Sequence, residues 1–363
     1  MELGALTGSA GVPRASRCGD GSRDPRDTEV RFDEGLRGGG IAYMRRRSSK
    51  DVWEGEVLHR LRAGVASVLL LLVIGAAPAC RSRYADLDLS CYSYRDTRRL
   101  VQHVYDAARL LQEEGLAGLT QFRERSGRFR TDEFYLYVYR TDGTNLYHAG
   151  MPELEGRNLW EVTDKDGKPI TQLVLEALRD PNNPHAWVHY SWWEPGSFYP
   201  VPKSSCHFEV ATPEGEKLFV GGGLDYPHEE REFIRIAVDS AADLLEERGS
   251  EALLQIADPI SAFNYRDVRV FVFRENGEML VAPAINSTFS QTNLLECADE
   301  VGHRPFAHAL GALEASEAVW EIFMARSRYQ TRLLRKCLYV RKAAWDDGEA
   351  YIAAITDLPQ PPY

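Results

Sequence analysis

Residues 104–146 read VYDAARLLQEEGLAGLTQFRERSGRFRTDEFYLYVYRTDGTNL, and 134 positions later residues 238–280 read VDSAADLLEERGSEALLQIADPISAFNYRDVRVFVFRENGEML. Aligned without a gap, the two stretches share 14 identical residues out of 43. Unrelated sequences do not match to this extent by accident, and an internal repeat of this kind determines the architecture. The sequence therefore predicts that most of the chain consists of two copies of one module.

Each stretch predicts a long helix followed by strands. Apolar residues recur at helical spacing before Gly115 in the first stretch and before Gly249 in the second, where a glycine can close a helix. Shorter helical stretches follow at 116–123 and 250–257, and strands follow at 134–140 and 268–274. Asp142-Gly143 and Asn276-Gly277 then predict hairpin turns.

The remaining strands complete the predicted fold class. The pattern indicates further strands at 186–192, 204–210, 217–223, 318–324, 336–344 and 350–355. We therefore expect an α+β protein made of two tandem modules, each a long N-terminal helix packed on an antiparallel sheet of about five strands.

The first 79 residues are typical of a targeting region. Residues 1–43 lack any hydrophobic period and are expected to be a disordered extension ahead of the true start at Met44. Residues 44–79 have the order of a secretory signal peptide, with three arginines, then the apolar run 65–75, then small residues. The apolar run is shorter than the roughly 20 residues of a membrane-spanning helix.

The cysteine that ends this region suggests a lipid anchor. Ala77-Pro78-Ala79-Cys80 resembles a bacterial lipobox, although Ala77 stands where a leucine is usual. We predict that Cys80 is lipidated and that residues 80–96 form a tether. An ordinary signal peptide cut nearby and an uncleaved N-terminal anchor remain as alternatives.

Charge and cysteine spacing exclude several classes of function. The formal net charge is −11, and residues 80–363 alone carry −13, which disfavours nucleic acid as a partner. The six cysteines show no CxxC spacing, so they predict neither a zinc site nor a dense disulfide framework. No arrangement of a nucleophile with a base is present. We therefore predict no enzyme activity, no cofactor and no metal.

Several short motifs occur in a fixed order across about 120 residues of the first copy. They are the strand and turn at 137–143, His148-Ala-Gly-Met-Pro152, Gly156-Arg-Asn-Leu-Trp160, the turn 164–168, Trp187-Val-His-Tyr190, Pro202-Lys-Ser-Ser205 and the small-residue strand 219–224. This order resembles the single-Cache class (Cache type 2-like, PAS-like) of extracytoplasmic sensor domains. The resemblance covers residues 97 to about 356 and predicts domains at 97–228 and 229–363.

The resemblance implies a function outside the membrane. Such modules bind organic acids, amino acids or similar metabolites on one face of the sheet, and they usually belong to chemoreceptors, histidine kinases or cyclases. Because nothing follows residue 363 here, we expect signalling through a separate transmembrane partner, from a lipoprotein on the periplasmic side of the cell envelope. The alternative is a structural or interaction module of the envelope with no small-molecule ligand; an envelope hydrolase has no supporting residues.

Candidate ligand contacts follow from alternation along the strands. Phe134, Leu136 and Val138 suit packing on the helix, and the tyrosines between them face the other way. Aromatic rings with hydroxyls, together with a cation, suit a small carboxylate or an amino acid. The predicted ligand-binding residues are Tyr137, Tyr139, Trp187, Tyr190 and Lys203. The alternatives are tyrosines that cover the sheet with their hydroxyls in water, aromatic core packing, and a solvated Lys203.

The second copy lacks most of these groups. Phe271 and Phe273 stand where the first copy has Tyr137 and Tyr139, and Phe323 falls where Tyr190 would be. A pocket without hydroxyls orients a polar ligand poorly. We therefore expect the ligand in the first copy.

Overall fold

The computed structural model describes residues 87–193, 198–266, 268–282, 293–326, 333–346 and 348–358. The predicted extension 1–43, the signal peptide 44–79 and the lipidation site Cys80 lie outside the described residues. Among the helices of the described ranges, none has both the length and the apolar composition that a membrane span requires.

The first half of the described chain extends to Asp225. It begins with the long helix α1 and a 3₁₀ turn at Gly115–Gly118, where Gly115 has a φ of 61°. The other helices are α2 and α3, and five strands make the sheet. The bounds are α1 Arg95–Glu114, α2 Leu119–Arg123, β1 Leu136–Arg140, β2 Asn145–His148, α3 Ile170–Ala177, β3 Val188–Trp193, β4 Pro200–Ala211 and β5 Lys217–Asp225.

The second half follows the same plan from Arg231 onward. A long helix and a short helix precede a two-residue strand pair, and five strands and one more helix follow. The bounds are α4 Arg231–Arg248, α5 Glu251–Ala257, β6 Asn264–Tyr265, β7 Val268–Arg269, β8 Phe271–Arg274, β9 Met279–Val281, α6 Pro305–Leu313, β10 Ala318–Arg326, β11 Leu333–Trp345 and β12 Gly348–Asp357.

The two five-stranded sheets have the same strand order. The first is ordered β2-β1-β5-β4-β3 and the second β9-β8-β12-β11-β10, and neighbouring strands are antiparallel throughout. Each strand of the first sheet thus has a counterpart seven strands later at the same place in the second. The predicted α+β class, with an N-terminal helix and antiparallel sheets, is confirmed.

The long helix of each half packs on one face of its sheet. In the first half, Leu100, Val104 and Leu111 of α1 lie against Leu136 and Val138 of β1 in one buried cluster. The other face of β1 carries the tyrosines, which pack under α3. The predicted alternation along β1 is confirmed. In the second half, α4 forms the equivalent core and α6 packs on the opposite face.

Residues 87–94, which belong to the predicted tether, pack on the first half. Tyr92 is buried, and its hydroxyl accepts a hydrogen bond of 2.7 Å from the indole of Trp187. The carboxylate of Glu230 accepts hydrogen bonds from the backbone N–H groups of Ser93 and Tyr94, next to the first turn of α1. These contacts fix the path of the chain into α1.

Candidate ligand site

A small cavity lies on the face of the first sheet that α3 covers. Its volume is about 30 Å³, which is room for a water molecule or two. Its walls are mainly aromatic, with apolar side chains from α3. The lining residues are Tyr135, Tyr137, Tyr139, His148, Ile170, Thr171, Val174, Tyr190, Trp192, His207 and Phe219. Of the predicted ligand-binding residues, Tyr137, Tyr139 and Tyr190 meet here.

Glycines on β5 make room for these side chains. A Cβ on Gly221 would lie 2.5 Å from Cε2 of Tyr137 and closer still to Cδ2 of His207. A Cβ on Gly223 would lie 2.6 Å from Cε of Lys203. The run Gly221-Gly222-Gly223 is therefore a close-packed strand.

A hydrogen-bonded chain determines the proton positions at one wall of the cavity. Nδ1 of His207 donates to the carbonyl oxygen of Ala186 at 2.7 Å. Burial lowers the pKa of His207 to about 4, so the ring is neutral and Nε2 carries no proton. The Tyr137 hydroxyl must then donate to Nε2 of His207, at 2.9 Å. The hydroxyl of Tyr190, 3.5 Å from that of Tyr137, can donate to it or to a ligand.

His148 supplies a second oriented donor. Its Nδ1 accepts the backbone N–H of Met151 at 2.9 Å, and burial, assisted by the charge of Lys203, lowers the pKa of His148 to about 4. The neutral ring therefore carries its proton on Nε2. The ring stacks on Tyr137, with the ring centres 5.6 Å apart. His148 was not selected from the sequence, although it pairs with Tyr137 across the hairpin whose Asp-Gly turn was recognised.

Lys203 lies beside the cavity and not in its wall. It lies on β4, opposite Tyr190 on the neighbouring strand β3 and opposite Asp225 on the other neighbour β5. Only 1% of its side chain is exposed. Its Nζ is 2.6 Å from Oδ1 of Asp225 and 4.5 Å from the centre of the Tyr135 ring. The carboxylate of Asp225 therefore balances the lysine charge, and the ring of Tyr135 is the link between Lys203 and the cavity.

Trp187 lies on the opposite face of the sheet. It precedes β3 and is three residues from Tyr190, so the two side chains point to opposite faces. Its ring packs on Phe233 at 4.7 Å between ring centres, within the core that includes α1. The structure therefore does not bring the predicted residue Trp187 to this cavity, which Tyr190 and its neighbour Trp192 line.

The family follows from comparison with known proteins. A family model described as Cache domain matches residues 99–346, from α1 into the last turn after β11. The chain belongs to the Cache domain family. Cache domains are periplasmic or extracellular sensors of small ligands.

Solved structures give matches to Cache and chemotaxis proteins. A methyl-accepting chemotaxis protein from Vibrio parahaemolyticus is 17% identical, over 49% of this chain and 97% of that chain, with a TM-score of 0.25. A Cache chemosensory domain studied for carboxylic acid recognition is 20% identical, over 36% and 93%, with a TM-score of 0.31. The periplasmic sensor domain of a chemotaxis protein is 26% identical, over 42% and 100%, with a TM-score of 0.27. The search of curated proteins finds no match.

The second half of this Cache protein presents an apolar surface at the equivalent place. By strand register, Phe271 replaces Tyr137, Phe323 replaces Tyr190 and Val340 replaces His207. These side chains are buried together with Phe306, Leu313 and others from α6. The Lys203–Asp225 pair, by contrast, recurs in the same register as an ion pair of Lys336 with Asp357. Within the described residues, the two halves differ in the polarity of this face and share the ion pair.

Proposed function

We propose that the protein is an extracytoplasmic sensor that binds a small ligand in the tyrosine- and histidine-lined cavity of the first half and catalyses no reaction. One observation supports this most strongly. The same face carries several hydroxyl and imidazole groups in the first half, and mainly phenylalanine and valine together with Tyr351 in the second. Hydroxyl and imidazole groups can orient a polar ligand by hydrogen bonds, which phenylalanine and valine cannot do.

The groups around the cavity favour an organic acid. Tyr190 and His148 offer O–H and N–H donors, which suit the oxygens of a carboxylate. Among the described residues, no aspartate or glutamate lines the cavity, so an ammonium group would find no counter-charge from them. Lys203 lies behind Tyr135 and is paired with Asp225, and its role as an anchor acting through the Tyr135 ring belongs to this proposal.

We further propose that the two halves are tandem copies of one Cache module. The internal repeat, the common strand order and the Lys–Asp pair in a common register support this. The second copy then serves to support the first, since side chains fill its equivalent face.

The anchoring of the protein is part of the same proposal. Lipidation of Cys80 would hold the sensor on the periplasmic side of the membrane, and the signal would pass to a separate transmembrane protein. The support is the signal-peptide order of residues 44–79 and the small residues that precede Cys80.

Thermal denaturation with a panel of compounds tests ligand binding. Short mono- and dicarboxylates, from acetate to succinate, are compared with amino acids and with neutral alcohols of the same size. A ligand at 100 times its Kd stabilises the folded state by about 2.7 kcal/mol. We expect a carboxylate to raise the midpoint of the wild-type protein by a corresponding amount, and not to raise that of Tyr190→Phe. If no compound raises the midpoint, the alternative of an interaction module without a ligand replaces this function.

A further inference from the structure

Three side chains with metal-binding atoms meet on the surface of the second half, away from the ligand cavity. His303 lies in the loop before α6, His308 in the first turns of α6, and Glu321 in the edge strand β10. Nε2 of His303 is 2.8 Å from Oε1 of Glu321, and Nδ1 of His308 is 2.6 Å from Oε2 of the same carboxylate. All three side chains place one ligand atom within 4.8 Å of the others.

The backbone holds the loop of His303 against β10. One oxygen of the Asp299 carboxylate accepts the backbone N–H of His303, and the other accepts that of Met324 on β10, each at 2.9 Å. The backbone N–H of Asp299 donates in turn to the carbonyl of His303, and Gly302 closes this tight turn with a φ of 87°. The imidazole of His303 and the carboxylate of Glu321 are thus brought together by hydrogen bonds of Asp299 that do not depend on a metal.

The kind of ligand atom present indicates the kind of metal. Two imidazole nitrogens and one carboxylate form a donor set that zinc takes, at about 2.0–2.2 Å per ligand, which puts tetrahedral ligand atoms about 3.3 Å apart. The present separations, from 2.6 Å to at most 4.8 Å, bracket that value. Calcium and magnesium prefer oxygen ligands alone. The side chain of His308 is 66% exposed, so a fourth position faces solvent.

We propose that His303, His308 and Glu321 form a zinc site with an open fourth coordination position. Zinc bound here connects the loop, α6 and the edge strand β10, and so fixes α6 over the apolar face of the second sheet. The site belongs to the second half alone: by register Val188 stands in the first half where Glu321 stands in the second. This inference does not depend on the proposed ligand site.

Titration of the folded full-length protein with zinc chloride tests the proposal. Calorimetry under reducing conditions should show one zinc ion per chain, and Co²⁺ in its place should give the strong visible absorption of four-coordinate cobalt. We expect Glu321→Gln and His308→Ala each to lower the affinity by more than about tenfold, since even outer-shell partners of a metal are worth 10- to 100-fold. The midpoint of thermal unfolding should rise with zinc in the wild type only.

Two control variants remove other potential zinc ligands. His228 is a half-exposed histidine stacked on Tyr94, and Cys297 is a partly exposed thiol. His228→Ala and Cys297→Ser should bind one zinc ion as the wild type does. The proposal is wrong if saturable binding at one ion per chain is absent, if it survives both Glu321→Gln and His308→Ala, or if a control variant abolishes it. Circular dichroism of the metal-free variants checks that each is folded. If His308→Ala is not folded, the near-isosteric Glu321→Gln remains as the test variant.

Discussion

Replacing Gly221 by alanine would introduce a methyl group between the Tyr137 and His207 rings. The new carbon would lie 2.5 Å from Cε2 of Tyr137 and closer still to Cδ2 of His207, where carbon atoms normally stay about 3.5–4.0 Å apart. Neither ring can retreat easily, because both are buried and His207 is held by hydrogen bonds of 2.7 Å to Ala186 and 2.9 Å to Tyr137.

The cost can be estimated from these contacts. Overpacking a well-packed site costs about 1–3 kcal/mol, and breaking the Tyr137–His207 hydrogen bond adds about 1–3 kcal/mol. Removing a glycine from a strand returns about 0.5–1 kcal/mol. We expect Gly221→Ala to lower the free energy of unfolding by about 2–4 kcal/mol, measured by urea denaturation with an unchanged m-value, and to lower ligand affinity at least tenfold.

Gly222 provides the matched control on the same strand. A Cβ there would face α1, 3.0 Å from Cγ2 of Val104 and 3.2 Å from Cδ1 of Leu100. Gly222→Ala should therefore cost less stability and leave ligand affinity unchanged. If Gly221→Ala were as stable as the wild type and bound ligand equally well, the packing described for the Tyr137–His207 wall would be incorrect.

Three further predictions concern titration, specificity and anchoring. Burial lowers the pKa of His189 to about 3 and that of His207 to about 4, below the unfolded value of about 6.5. Because the unfolded chain binds more protons in this range, the thermal midpoint should fall as the pH drops from about 6.5 to about 4. A constant midpoint would contradict neutral buried histidines. Tyr139→Phe should weaken carboxylate binding by about tenfold or more in calorimetry, while Phe273→Leu at the equivalent place should not, and equal effects would argue against a site in the first half alone. Cys80→Ser should move the protein from the membrane pellet to the supernatant or leave it uncleaved, and an unchanged pellet would exclude the lipid anchor.

The sequence predicts the parts of the fold in which apolar residues recur at regular spacing over a long segment, or in which a segment is repeated. Helices α1 and α4, the glycines that end them and the two faces of β1 were readable because apolar residues recur at regular spacing. Helices α3 and α6 were not predicted, because eight or nine residues are too few for periodicity to separate a helix from a buried strand. Trp187 was misplaced although the alternation itself separates it from Tyr190, because side chains three residues apart in a strand point to opposite faces.

The site depends on register between strands that are distant in sequence. His207 on β4 contacts Tyr137 on β1 across the intervening strand β5, 70 residues away in sequence. Asp225 on β5 contacts Lys203 on the neighbouring strand β4, 22 residues away. No local spacing encodes such pairs, so the tyrosines were found and their partners were not. His303, His308 and Glu321 come from a loop, a helix and a strand, and their spacing matches no zinc-binding motif.

Calorimetric titration of two single variants, with the carboxylate that stabilises the wild type most, tests most directly that the ligand binds in the first half. Tyr190→Phe removes a hydroxyl at the cavity of the first half, and Phe323→Leu changes the residue in the same register of the second half. Loss of one charge-assisted hydrogen bond costs about 1.5–3 kcal/mol, or roughly ten- to a hundredfold in Kd. We expect that loss for Tyr190→Phe and an unchanged Kd for Phe323→Leu. An unchanged Kd for Tyr190→Phe, together with weaker binding by Phe323→Leu, would place the ligand in the second half and contradict a site in the first.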